Sequence, residues 1–187
     1  MKIFLLLEPP FSTISLELED AAAAKKYTYF SFSDVFMSET GGDSEIAKRL
    51  QEAKASGQEL VPHFAYRLIM ERYLQKPPKN NPNGFILDPD CFSSPEELKI
   101  LLEVLAATGH PLDAVIDIRV SPEECADYME DYLVDEAEGL LEIAEYFENT
   151  YPETMSCLQE ANVRIIEMSG EADAKETYKQ FCELLAE

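Results

Sequence analysis

The sequence predicts an α/β protein built on a parallel sheet covered on both faces, and three observations carry that prediction. Short apolar or β-branched runs bounded by turn residues alternate with longer segments of helical periodicity. Such apolar or β-branched runs are the pattern of strands buried on both faces. At 187 residues and 46% hydrophobic content, the chain is long enough for one well-buried core and short for two, so a single domain is expected.

Strands are expected at 2–7, 27–31, 84–88, 113–118 and 162–168. A helix over 13–25 follows the first strand, and a short piece near 33–39 follows the second. A helix over 44–56 starts at the Asp43-Ser44 cap, and another over 61–75 repeats Phe64, Leu68, Ile69 and Tyr73 at helical spacing. Residues 76–83, with three prolines and three asparagines, form a turn-rich connector into the third strand. Ser94-Pro95-Glu96-Glu97 opens a helix reaching about Thr108, with proline in its first turn and acids at its positive end. Ser121-Pro122-Glu123-Glu124 repeats that device. The last helix is expected from Gly170, with Tyr178, Phe181, Leu184 and Leu185 on one face.

Fifteen basic residues against thirty-seven acidic ones give a net charge of −22, which repels nucleic acid and anionic lipid. Lys2 and Ile3 to Leu7 are too short for a signal peptide, and no apolar run approaches the roughly 20 residues of a membrane span, so a cytoplasmic protein without membrane contact is expected. The scattered Cys91, Cys125, Cys157 and Cys182 form no metal or redox pair and read as reduced thiols. His63 and His110 are equally solitary, so neither a metal nor another cofactor is expected.

The stretch from Leu5 to Leu16 is the most informative. An apolar strand running through Pro9-Pro10 into a helix is the frame of a phosphate-binding loop, whose pattern G-x-x-x-x-G-K-[ST] cradles phosphate on backbone N–H groups. Here Glu8 and Thr13 stand at the glycine positions, Ile14 stands at the lysine, and Ser15 is left at the hydroxyl. Side chains at Phe11 and Thr13 obstruct close backbone approach, and Glu8 places negative charge where a polyphosphate would lie.

Several later segments resemble the adenylate kinase family in order and spacing. Phe30-Ser31-Phe32-Ser33-Asp34-Val35-Phe36-Met37 is similar to I-S-T-G-D-L-L-R, and Leu60-Val61-Pro62 to L-V-P. Asn83 to Asp88 is similar to N-G-F-L-L-D, Leu112 to Ile116 matches L-D-A-V-I, and Thr150-x-Pro152 resembles a late T-x-P. The resemblance spans essentially the whole chain. It implies a three-layer P-loop NTPase-like fold with a five-stranded parallel sheet in the order 2-3-1-4-5, a nucleoside monophosphate-binding helical subdomain at about 33–75, and a short remnant lid at 131–139.

The departures fall on the family's chemistry. Its two AMP-gripping arginines correspond to Met37 and Phe92, and its lid-flanking arginines to Tyr128, Tyr132 and a position near Glu142. Phosphoryl transfer needs cations to stabilise the equatorial oxygens, and one arginine finger is worth roughly 10³–10⁵ in rate. The expectation is therefore a catalytically inactive adenylate kinase-like protein that serves as a scaffold or protein-interaction subunit and does not bind nucleotide. Its rivals are a divergent nucleoside monophosphate kinase and a regulatory module that binds adenine nucleotide weakly. Asp88 aligns with the family's magnesium-organising aspartate but reads as a structural acid at a strand-to-turn junction; Asp34 reads as a helix cap following Ser33.

From Val120 to Val163 there is no lysine, arginine or histidine against thirteen acids. This block has three readings: a solvated face, a docking surface for a basic protein partner, or a loose divalent-cation site. The candidate partner surface comprises Tyr128, Asp131, Tyr132, Asp135, Glu136, Glu138 and Glu142, with Tyr146 as a further exposed aromatic. Non-catalytic kinase-like domains recur in large assemblies, the ciliary axoneme among them, so the resemblance implies an axonemal location as the alternative to the cytoplasm.

Overall fold

The computed structural model describes residues 1–12, 14–40, 45–56, 63–75, 79–130, 132, 134–171 and 174–186. Its centre is a five-stranded, all-parallel sheet in the order β2-β3-β1-β4-β5. The strands are β1 (Lys2–Leu7), β2 (Tyr27–Phe30), β3 (Gly84–Leu87), β4 (Ala114–Arg119) and β5 (Ile165–Ser169). Each lies within a few residues of its expected place. The register pairs Leu5 with Leu87 and with Val115, and Leu7 with Asp117, so the carboxyl ends of β1, β3 and β4 emerge side by side. Gly84 sits against Lys2 at φ +145°, and a β-carbon there would lie 1.7 Å from the Lys2 carbonyl oxygen. The Asp113 carboxylate accepts the Ile3 N–H at 2.7 Å and ties the approach to β4 to the central strand.

Alternation along β1 sorts its side chains into two cores. Ile3, Leu5 and Leu7 face one core; Phe4 and Leu6 face the other. The helices are α1 (Ile14–Ala24), α2 (Phe32–Thr40), α3 (Glu45–Ala55), α4 (His63–Tyr73), α5 (Pro95–Ala107), α6 (Pro122–Met129), α7 (Glu136–Glu145), α8 (Tyr151–Glu160) and α9 (Ala174–Leu184). The first core takes Tyr66 and Ile69 from α4, Leu98 and Leu101 from α5, and Cys157 and Leu158 from α8. The second takes Leu18 and Ala22 from α1, Cys125 and Met129 from α6, Ile143 from α7, and Phe181 from α9. The result is three layers, helix on sheet on helix.

Residues 146–150, between α7 and α8, form a π-turn in which the Tyr151 N–H donates to the Tyr146 carbonyl. α7 packs into the second core and α8 into the first, so this continuous helical run passes from one face of the sheet to the other at the π-turn.

Four local expectations need correction. The last helix starts at Ala174, not Gly170; Gly170 follows β5, where a β-carbon would meet Val120, Ile14 and Ile118. On that helix Phe181 and Leu185 are buried while Tyr178 is 39% exposed, because α9 packs against α1 along a narrower stripe. Asp34 does not cap α2, which begins at Phe32. Ser31 Oγ accepts the Asp34 N–H, and the distant Asp90 carboxylate accepts the N–H groups of Phe32 and Ser33. Tyr146 is half-buried rather than exposed, packed edge-on to Phe147 and tilted against Tyr151. The Asp43-Ser44 cap and Leu60-Val61-Pro62 lie outside the described residues.

Among the described residues no helix is long and apolar enough to cross a membrane. Cys91, Cys125 and Cys157 are buried and Cys182 partly so, all as free thiols. Burial raises the Cys125 thiol to about 11, which keeps it protonated and inert near neutrality.

Candidate functional site

The carboxyl edge of a parallel sheet is where ligands bind in open α/β folds, and the loop from β1 into α1 lies there. Its Glu8 side chain folds back onto the amino end of α1. The carboxylate accepts the Ser12 hydroxyl at 2.5 Å, the Ile14 N–H at 2.8 Å and the Ser15 N–H at 3.2 Å. The first N–H groups of a helix have no intrahelical partner and attract anions, and here the chain's own carboxylate fills that place.

The neighbouring positions are filled with apolar matter. Phe11 adopts φ 65°, a left-handed conformation that is unusual for an aromatic residue. Its ring makes an edge contact with Tyr132, centroids 5.4 Å apart, and comes within 3.5 Å of where a β-carbon on Gly139 would stand. The same imagined β-carbon would lie 2.0 Å from the Met129 sulfur, so Gly139 lets α6 and α7 cross closely above the loop. Ile14 packs into the second core, reaching toward the space beside Gly170. Ser15 is 7% exposed. Thr13 lies outside the described residues.

Beside this plug, at the end of β3, Asp88 caps a 3₁₀ turn over Pro89–Cys91 by accepting the Asp90 N–H at 2.8 Å. The Tyr29 hydroxyl donates to its other oxygen at 2.5 Å. Burial pushes the Asp88 carboxyl up to about 6; the hydrogen bonds from Tyr29 and the Asp90 N–H oppose the shift, and the Asp90 charge adds to it. Asp90 is a residue the sequence reading missed, since it acts on Ser31, Phe32 and Ser33 across more than fifty positions.

A second polar cluster closes the β4 side. Asp117 is 1% exposed, accepts the Tyr151 hydroxyl at 2.8 Å and pairs with Arg119 Nε at 2.9 Å. Arg119 also bonds Glu167 at 2.8 Å and lies 5.1 Å above the Tyr151 ring. Burial raises the Asp117 carboxyl even though Tyr151 and Arg119 pull it down. Two further arginines are also committed within the chain. Arg67 bonds Glu103 and lies 3.8 Å from Glu71; Arg72 lies 3.8 Å from the buried Glu39.

The positions singled out from the sequence fall into two groups. Glu8, Phe11, Ile14, Ser15 and Asp88 gather at the carboxyl edge. Met37, on α2, is 69% exposed, and Phe92 is partly buried against the first core. In the acidic segment, α6 ends at Met129, and Glu136, Glu138 and Glu142 lie on α7, whose amino end Asp135 caps by accepting the N–H groups of Ala137 and Glu138. Tyr128, expected to be exposed, instead packs partly against the second core, and Tyr132 is 39% exposed. Asp131 lies outside the described residues. Among the described residues no group of three or more His, Cys, Asp or Glu is placed to hold a metal ion.

Compared with known proteins, the chain matches no family model and no curated protein at a significant level.

Proposed function

We propose that the chain is a catalytically inactive adenylate kinase-like protein, with a P-loop NTPase-like architecture whose phosphate site its own side chains occupy, and that it acts as a protein-interaction subunit of a larger assembly. One observation carries this reading: the Glu8 carboxylate sits on the N–H groups of Ile14 and Ser15, which in a working loop would receive phosphate. An incoming polyphosphate would have to expel a covalently tethered anion from the same donors. Ile14 offers a hydrocarbon side chain where a lysine would reach the transferring phosphoryl group, and Arg67, Arg72 and Arg119 face carboxylates of the chain itself.

The test is nucleotide chemistry on the purified protein. With magnesium, ATP and AMP, a coupled assay is expected to show no turnover, and millimolar nucleotide to leave the melting temperature unchanged. A ligand at 100 times its Kd would add about 2.7 kcal/mol and shift melting visibly. Turnover within about tenfold of the 1–100 s⁻¹ typical of kinases overturns the reading. A saturable ATP-dependent rise in melting temperature without product favours the regulatory nucleotide binder instead.

A further inference from the structure

We infer that the outward face of α7 is a docking site for a basic amphipathic helix of a partner protein. α7 carries two apolar faces where a surface helix needs one. Gly139 and Ile143 are buried against the body of the protein. Ala137, Leu140, Leu141 and Ala144 are all exposed, Leu140 by 46% and Leu141 by 70%. Their i, i+3, i+4, i+7 spacing is the stripe by which one helix packs on another, with small residues at each end and two leucines between.

Charge selects the occupant. Glu138, Glu142 and Glu145 recur along one side of the stripe, and no basic side chain occurs anywhere from Val120 to Val163. A second copy would bring another acidic segment with no basic side chain against this one. Anionic lipid and nucleic acid are repelled for the same reason. A helix with leucine-type anchors flanked by lysine or arginine satisfies both the stripe and the rail. The inference takes from the proposed function only that the chain works through protein contacts.

The experiment uses the full chain and a fluorescent synthetic peptide helix with leucines at i, i+3, i+4 and i+7 and lysines on the flanking positions. A peptide of the same composition with its leucines scattered around the helix is the control. The patterned peptide is expected to bind saturably, more weakly as salt rises, and at least about tenfold more tightly than the control. Leu141→Asp is expected to weaken binding about tenfold without lowering the melting temperature, since the residue is at the surface. Glu138→Lys with Glu142→Lys is expected to flatten the salt dependence. Equal binding of the two peptides, or full binding by Leu141→Asp, overturns the site. A concentration-dependent dimer abolished by Leu141→Asp overturns it too, by making a second copy the occupant. Loss of peptide binding with nucleotide still inert defeats the docking site alone; nucleotide turnover with peptide binding intact defeats the non-catalytic reading alone.

Discussion

Replacing Glu8 isolates what the plugged loop contributes to the fold. Its carboxylate accepts from the Ser12 hydroxyl at 2.5 Å, the Ile14 N–H at 2.8 Å and the Ser15 N–H at 3.2 Å. Hydrogen bonds to a charged group contribute about 1.5–3 kcal/mol each, and an anion at a helix amino end about 0.3–1 kcal/mol. The loop is only partly buried, so water recovers part of this in the variant. Glu8→Ala should therefore lose about 2–3 kcal/mol, and Glu8→Gln, which keeps an acceptor without the charge, about 1 kcal/mol. In a protein of this size 1 kcal/mol moves the melting temperature by about 2–4 °C, so the alanine variant should melt about 4–12 °C lower. Urea unfolding gives the free energies, and an unchanged m-value shows that the compactness of the two states is preserved. Combining Glu8→Ala with Ser12→Ala should reveal a coupling of about 1 kcal/mol. If Glu8→Ala unfolds within about 0.5 kcal/mol of the parent and the cycle shows no coupling, the carboxylate is not holding the helix end and the reasoning fails.

Two further outcomes are expected. The raised Asp88 carboxyl keeps its proton where the unfolded chain has lost it, so its contribution is fully present below about pH 4 and is lost as pH rises through about 6. At full burial that displacement would amount to about 3 kcal/mol, reduced to about 1–2 kcal/mol by partial exposure. Asp88→Asn should match the parent near about pH 4 and exceed it by that amount near about pH 7.5, and urea titrations that stay parallel across this range would count against it. Gly84→Ala would drive a β-carbon into the Lys2 carbonyl and disturb the β1–β3 pairing, so a loss of at least about 3 kcal/mol is expected; a melting temperature equal to the parent's would contradict the close approach.

The parts of the fold legible in the sequence are those written locally. Runs such as Ile3 to Leu7 and Ala114 to Ile116 announce buried parallel strands because both faces demand hydrocarbon, and Ser94-Pro95 and Ser121-Pro122 announce helix starts because capping chemistry acts over three residues. The strand order came only through family resemblance, since nothing in the composition of β2 or β5 states its neighbours. Glu8 read as a charge that would repel phosphate, and the structure adds that its own chain satisfies it. Asp90 escaped notice because it caps α2 from the turn after β3, more than fifty residues away, where no spacing rule reaches, and the local rule favoured Asp34 instead. The Asp117–Arg119–Tyr151 cluster is likewise assembled by tertiary contact. Tyr146 is half-buried because it starts the π-turn and packs on Phe147 and Tyr151, a tertiary setting that the acidic composition around it does not announce.

That π-turn gives the molecule a mechanical character. From Glu136 to Glu160 the chain is helical without a break, roughly 37 Å long at 1.5 Å per residue, and it is clamped at its two ends into opposite layers of the molecule. It therefore joins the two helical layers through one unbroken helical run. Through α8 the run also reaches α5, against which α8 packs, so a displacement of the Leu140–Leu141 end is expected to be felt there. The two helical layers are thereby coupled along a single covalent element.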